Sequence, residues 1–352
     1  MSIATIAREG IRSLQPYEAA VQVDDTIRLN ANEAPWTSSQ DHFRRPLNRY
    51  PEIRPARLRS ALAGRYGCDP RHLMVTRGTS EAIDLLIRVF CAAGEDSMVT
   101  TTPSFSMYRH YALVQGAELR EVETDRDEDF AIDPARILQA CDASTKLIFV
   151  CSPNNPTGTL LGRDALQRIL DDRKGLSAVV VDEAYIEFAG TASAIELLRD
   201  YDNLVVLRTL SKALAYAGAR CGSVIAQQDV IGILDAVQAP YALATPVVEC
   251  VEDALQAESL NEADRWLEDV VSERQRLVET IAELPYVRRI WPSSANFFLV
   301  QVDDADELMR CSGNDKVLLR YFGGELADCV RISVGTREEN DALLRTMARV
   351  EN

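Results

Sequence analysis

The sequence predicts an α/β protein with a large domain built on a mainly parallel sheet and a second, smaller α/β domain. Three observations predict it. Between residues 71 and 226, short β-branched runs alternate with segments of helical periodicity, as in a sheet covered on both faces. Three polar residues, Asn155, Asp182 and Lys212, fall just past the ends of such runs, where ligands of parallel sheets bind. The chain has 352 residues, 47% of them hydrophobic, which is ample for two cores.

In chain order, residues 80–91 place Ile83, Leu86, Ile87 and Phe90 at helical spacing. Residues 97–101 predict a strand and 105–115 a helix. The runs 146–151, 177–182, 203–207 and 222–226 predict strands of the central sheet. After Pro246 a long helical stretch presents Trp266, Leu267, Val270, Val271, Leu277, Val278 and Ile281 on one face. Strands are expected at 287–290, 296–302, 317–320 and 330–334, and helices at 304–310 and 337–350. The expected organisation is an N-terminal arm (1–30) joining the smaller domain, a large domain (31–245) and a small C-terminal domain (246–352).

Composition excludes several classes of function. A formal net charge of −16 leaves no electrostatic footprint for nucleic acid or an anionic membrane. Acidic substrates would have to be held by local arginines. The eight cysteines include no C-x-x-C pair, which suits reduced thiols in a cytoplasmic protein. His42, His72 and His110 lack ligand spacing, so no metal site is expected. Residues 1–17 do not read as a signal peptide, and no apolar run approaches the ~20 residues that span a bilayer.

The chemistry rests on an ordered set. Lys212 ends Leu207-Arg208-Thr209-Leu210-Ser211-Lys212, Arg220 follows shortly after, Asp182 ends a strand, and Asn155 lies in Ser152-Pro153-Asn154-Asn155-Pro156-Thr157-Gly158. A lysine in a turn is ordinarily a solvated charge, and an acid after a strand is ordinarily a cap. Together these residues match the demands of pyridoxal 5'-phosphate. Lys212 supplies the amine for its aldehyde and can then move a substrate proton. Asp182 keeps the ring nitrogen protonated by charge pairing. Arg220, Ser211 and Thr209, with Thr79 and Ser80 at the start of a predicted helix, suit its phosphate. Asn155 and Tyr185 could hydrogen-bond its phenolic oxygen, and Phe105 could stack on its ring.

With these residues the chain resembles the fold-type-I pyridoxal-phosphate aminotransferases, and more closely the histidinol-phosphate aminotransferase group. The resemblance spans nearly the whole chain. It includes Leu29-Asn30-Ala31-Asn32-Glu33, Asn48-Arg49-Tyr50-Pro51-Glu52, Val181-Asp182-Glu183-Ala184-Tyr185-Ile186-Glu187-Phe188, Gly218-Ala219-Arg220-Cys221-Gly222 and Val330-Arg331-Ile332-Ser333-Val334-Gly335. It implies that Lys212 carries the cofactor, that Asp182 pairs its ring nitrogen, and that Asn155 and Tyr185 contact its ring oxygen. It implies further that Thr79, Ser80, Thr209, Ser211 and Arg220 hold the phosphate. Tyr50 matches a tyrosine that reaches the phosphate of a neighbouring subunit, which implies a homodimer with shared sites. Arg331 matches the residue that grips the carboxylate of glutamate or the phosphate of histidinol phosphate. Tyr17, Asn32 and Arg320 fall where further substrate contacts are expected. One departure is visible: the stacking aromatic is often tyrosine in this group and is Phe105 here.

The implied reaction moves an amino group between histidinol phosphate and 2-oxoglutarate, giving imidazole-acetol phosphate and glutamate, in histidine biosynthesis. Three alternatives share parts of the pattern. An aminotransferase for aromatic or other amino acids and a threonine-phosphate decarboxylase would use the same Lys-Asp pair. A cofactor-sensing module of a regulator would need a basic DNA-binding segment, which the chain lacks.

Overall fold

In the computed structural model the residues described are 2–18, 20, 22 and 26–350. The β-branched runs form one sheet from β1 (Leu73–Thr76), β2 (Ser97–Thr102), β3 (Glu118–Glu123), β4 (Thr145–Cys151), β5 (Ala178–Asp182), β6 (Leu204–Thr209) and β7 (Gly222–Ile225). Their order is β1-β7-β6-β5-β4-β2-β3. The pairings β2–β3, β2–β4, β4–β5 and β5–β6 are parallel, while β7 runs antiparallel to both neighbours. Every residue of β5 and β6 is buried, which is why those runs read as continuously apolar and not as alternating.

The helices are α1 (Glu9–Arg12), α2 (Ala56–Tyr66), α3 (Gly78–Phe90), α4 (Met107–Gln115), α5 (Pro134–Gln139), α6 (Arg163–Asp172), α7 (Gln228–Val237), α8 (Thr245–Ala254), α9 (Ala257–Ala282), α10 (Ala305–Asn314) and α11 (Arg337–Met347). Successive strand residues face opposite sides, so each strand feeds two cores. Val179, Val181, Leu204 and Val206 meet Leu58 and Leu62 of α2, Ile169 of α6 and Val251 of α8. Val180, Val205 and Leu207 meet Ile83, Leu86 and Phe90 of α3 and Leu234 of α7.

A second sheet, ordered β10-β11-β9-β8, joins β8 (Val287–Ile290), β9 (Phe297–Val302), β10 (Arg320–Gly323) and β11 (Leu326–Ser333), all antiparallel. Phe298, Val300, Val330 and Ile332 pack there against Leu277 and Ile281 of α9, Leu308 of α10 and Leu343 of α11.

Several expectations need correction. The start of the N-terminal arm packs with the large domain. Ile3 and Ala7 enter the core beneath α3 and α7, and the Arg8 amide donates to the Val89 carbonyl at 2.9 Å, meeting an open acceptor near the end of α3. The boundary at 245 also moves, because Val248 and Val251 of α8 belong to the large core. The helical stretch after Pro246 breaks at the extended Gln256, and on α9 Trp266 and Val271 are exposed. The third small-domain strand lies at 320–323 and not at 317–320, because its register is set by Arg320 opposite Arg331.

Candidate active site

The carboxyl ends of β4, β5 and β6 are level, with Cys151 opposite Asp182 and Asp182 opposite Leu207. Lys212, Asp182, Tyr185, Asn155 and Phe105 line one cavity there. Thr79, Ser80, Thr209, Ser211 and Arg220 line it as well. Sequence order scattered these residues over some 140 positions, and sheet topology brings them together.

Each is held by local structure. Asn155 sits in a turn closed by Gly158 N–H to Asn154 O at 2.7 Å, with the Asn154 amide donating to Pro103 O and Thr157 Oγ1. Gly158 has φ +80°, and a Cβ there would fall 2.2 Å from Ser293 Oγ, so only glycine lets the turn meet the second domain's lead-in. Tyr185 follows Asp182 on a loop fixed from below by buried ions. Glu183 accepts from Ser193 Oγ at 2.5 Å and from Ala194 N at 2.6 Å, while Arg208 reaches Glu183 at 3.4 Å and Glu187 at 2.6 Å. Arg208 lies on β6, so the same ions brace the strand that delivers Lys212. The loop beyond β6 is tied back by Leu210 N–H to Cys221 O and Tyr216 N–H to Leu210 O.

The electrostatics divide the cavity. Asp182 is 2% exposed, and burial pushes its carboxyl up to about 6, against the lowering effects of Tyr108, the Ala184 amide and Lys212. Among the described residues no lysine, arginine or histidine lies within ion-pair distance of it. Lys212 Nζ lies 5.5 Å from the centre of the Tyr185 ring. Its pKa is lowered by partial burial, then by Arg331 and Arg220. Burial likewise holds the Tyr185 phenol up and so protonated.

The Arg220 guanidinium donates to Ser211 Oγ at 3.4 Å and Ala217 O at 3.2 Å, and Thr209 Oγ1 bonds Ser211 Oγ at 2.9 Å. It also crosses the start of α3, where a Cβ on Gly78 would lie 2.8 Å from Arg220 Nη2. The residue before α3, Arg77, offers no capping side chain. Free amides, hydroxyls and a guanidinium therefore converge where a phosphate could sit.

Arg331, on β11, donates to Asn155 Oδ1, and Asn155 Nδ2 reaches Tyr185 Oη at 3.4 Å. The Arg331 Nε is buried without a partner, and its guanidinium lies 5.1 Å from the Phe297 ring and 5.6 Å from that of Phe322. Arg320 faces it across the β10–β11 ladder. Among the described residues no carboxylate pairs with either, so the two could take an anion.

Besides Arg331, which reaches the cavity through Asn155, four expected residues stand apart from it. Tyr17 and Asn32 are exposed. Arg320 approaches only through Arg331. Tyr50 is half exposed and stacks on Tyr241 with ring centres 4.6 Å apart. Its mount explains two of the quoted strings. The Glu33 carboxylate accepts from the Tyr50 amide and Arg49 at 2.8 Å and from Arg28 at 2.6 Å, joining Asn-Ala-Asn-Glu to Asn-Arg-Tyr-Pro-Glu.

Sequence reasoning missed Tyr108, which donates to Asp182 Oδ2 at 2.9 Å. Its spacing of three from Phe105, in a stretch whose sequence predicts a helix from 105, is the signal that could have found it, although in the structure the helix starts at Met107. Cys151 and Ala217 also line the cavity. No group of three potential metal ligands occurs among the described residues, and none of their helices is long and apolar enough to cross a membrane.

The family model for aminotransferase class I and II matches residues 25–347. A histidinol-phosphate aminotransferase of Xanthomonas euvesicatoria pv. vesicatoria (strain 85-10) is 41% identical, the match covering 99% of this chain and 98% of the relative. One from Xylella fastidiosa (strain 9a5c) is 39% identical, covering 99% and 97%. Among solved structures, the histidinol-phosphate aminotransferase of Clostridium acetobutylicum has a TM-score of 0.78 at 23% identity, over 86% of this chain and 90% of that one. That of Sinorhizobium meliloti, solved with pyridoxal-5'-phosphate, has a TM-score of 0.77 at 23% identity, over 86% and 83%. At such identity the structural likeness speaks for the fold.

Proposed function

Since this chain belongs to the class I and II aminotransferases, we propose that it transfers the amino group between histidinol phosphate and 2-oxoglutarate, with pyridoxal 5'-phosphate as cofactor, in histidine biosynthesis. The observation that carries the reading is the union of two features. The amine, buried acid and anion cradle needed by the cofactor line one cavity, and a pair of unpaired arginines adjoins it through Asn155. The relatives near 40% identity over the whole chain supply the substrate.

The residues fit the cofactor. When bound, it supplies an aldehyde for the amine and a ring that accepts the electron pair of the substrate's α-carbon. Asp182, buried and without a cation within ion-pair distance among the described residues, would keep the proton on the ring nitrogen by charge pairing. The amides at the start of α3, with Arg220, Ser211 and Thr209, would hold the phosphate, and the absence of a Cβ on Gly78 leaves room for the Arg220 guanidinium beside them. Phe105 would back the ring, and Asn155 and Tyr185 would address its oxygen. Lys212 Nζ, which lines the cavity, would supply the amine for the aldehyde and would hold or move a proton at the substrate's α-carbon. Its lowered pKa suits a base that must lose its own proton.

Arg331 accepts a carboxylate in one half-reaction and a phosphate in the other, which a planar guanidinium permits. Arg331→Ala should raise KM by about 10- to 100-fold for both substrates, the worth of a charge-assisted hydrogen bond. Steady-state kinetics with each substrate varied checks this, and a change confined to one would show that the grip is not shared.

The active form is read as a cytoplasmic homodimer, with Tyr50 and the neighbouring N-terminal segment directed at a second copy. Ile27, Leu29 and Trp36 on that segment are 91%, 88% and 71% exposed, which favours a covering partner. Light scattering should give twice the chain mass of 39.1 kDa.

The test of the reaction is spectroscopic. Histidinol phosphate added to the cofactor-loaded protein without a keto acid should abolish the absorbance of the lysine-bound cofactor, leaving the amine form and imidazole-acetol phosphate. A spectrum left unchanged would move the substrate to another amine. Carbon dioxide release from threonine phosphate would favour the decarboxylase.

A further inference from the structure

We propose that Tyr108 is a positioning residue for Asp182, its hydroxyl fixing the carboxylate in an ionised state and in one orientation toward the cofactor's ring nitrogen. This rests on the reading of Asp182 as the partner of that nitrogen. Tyr108 lies on the first turn of α4 and is fully buried. Its hydroxyl donates to Asp182 Oδ2 at 2.9 Å, while the Ala184 amide donates to Oδ1 at 3.2 Å. Two donors on separate elements, one per oxygen, leave the carboxylate little freedom to rotate.

The phenol is itself clamped. Its ring stacks on Phe149 at 5.0 Å and meets Phe105 edge-on at 5.7 Å. Phe105 lines the cavity, so the stacking ring and the acid share one support. Burial, then the charge of Asp182, raises the Tyr108 phenol well above its ordinary range, so it remains a donor at every working pH. The other ionisable groups facing Asp182 are Cys151, Tyr185 and Lys212. Burial raises the thiol and the Tyr185 phenol, so both stay neutral, and Lys212 acts without a direct ion pair. Tyr108 is therefore the side chain that hydrogen-bonds the charge directly. Without its hydroxyl a buried carboxylate more readily takes a proton, and then faces the ring nitrogen uncharged.

A tyrosine serving only as core would be replaced by phenylalanine at little functional consequence. The experiment measures equilibrium binding of pyridoxal phosphate to the cofactor-free protein between pH 5 and 8.5, for wild type and Tyr108→Phe. Loss of the hydrogen bond should move the acid limb of binding up by about one pH unit and weaken binding about tenfold near the limb. The cofactor phosphate and Lys212 titrate in both proteins and cancel in the comparison. Site-specific 3-fluorotyrosine at 108 keeps the shape with a stronger donor, and should move the limb down. That variant decides the matter if Tyr108→Phe does not fold. Coincident limbs in all the proteins that fold, or a uniform loss of affinity without displacement of the limb, would overturn the proposal. A wild type that binds no pyridoxal phosphate at any pH would instead overturn the reading beneath it.

Discussion

Lys212→Ala should lose turnover by about 10⁴-fold or more while keeping its fold. Proton transfer by a placed base contributes up to about 10⁴-fold, and in the proposed function Lys212 would also anchor the cofactor, so both contributions would vanish together. Stability should change by no more than about 1 kcal/mol, because the contact the structure gives the ammonium is the Tyr185 ring at 5.5 Å. Partial burial and two nearby guanidinium groups already disfavour its charge. Turnover assays with matched melting curves check both halves. Comparable turnover in the variant would end the assignment of Lys212, whereas a lost melting transition would say only that the loop after β6 needs its lysine.

How legible the site was follows from residue type. Lys212, Asp182 and Arg220 stood out because charged residues beside apolar strand runs have few reasons to be there unless a partner compensates them. Tyr108 did not, since a tyrosine among apolar helix positions reads as core, and its core packing on Phe149 is real. Only the sheet shows that its hydroxyl meets a residue 74 positions away. The same division holds for the fold. β5 and β6 were readable from their apolar runs, whereas β3, Glu-Leu-Arg-Glu-Val-Glu at the sheet edge, carries one buried residue and no strand signal. Glu33 was visible as part of a string, but its purpose required seeing Arg28, Arg49 and the Tyr50 amide converge on it. Tyr50 and Tyr17 lie on the surface of the chain, and nothing in the periodicity of the sequence says what, if anything, covers them.

Asp182→Asn should impair the enzyme while making its cofactor-free form more stable. In the unfolded chain the carboxyl titrates near ~3.9, and in the folded chain burial lifts it to about 6. Between those values the folded state holds a proton that the unfolded state has released. Stability therefore falls as pH rises through this window, and the loss is complete above the folded value. Two pH units correspond to about 3 kcal/mol. Asparagine escapes this penalty, and it can still accept the Ala184 amide and approach the Tyr108 hydroxyl. The variant's advantage should thus be near zero at pH 4 and reach up to about 3 kcal/mol above pH 7, measured by urea unfolding of the cofactor-free proteins across that range. With cofactor present the order reverses. A carboxylate paired with a cationic ring at close range is worth about 4 kcal/mol at intermediate dielectric, so kcat/KM should fall by about 10³-fold. A variant that loses activity without the pH-dependent gain would place the charge of Asp182 in a well-compensated site, and its burial would then have another explanation. If both changes appear, the strain of an unpaired buried acid in the empty site is the same quantity that the bound cofactor relieves.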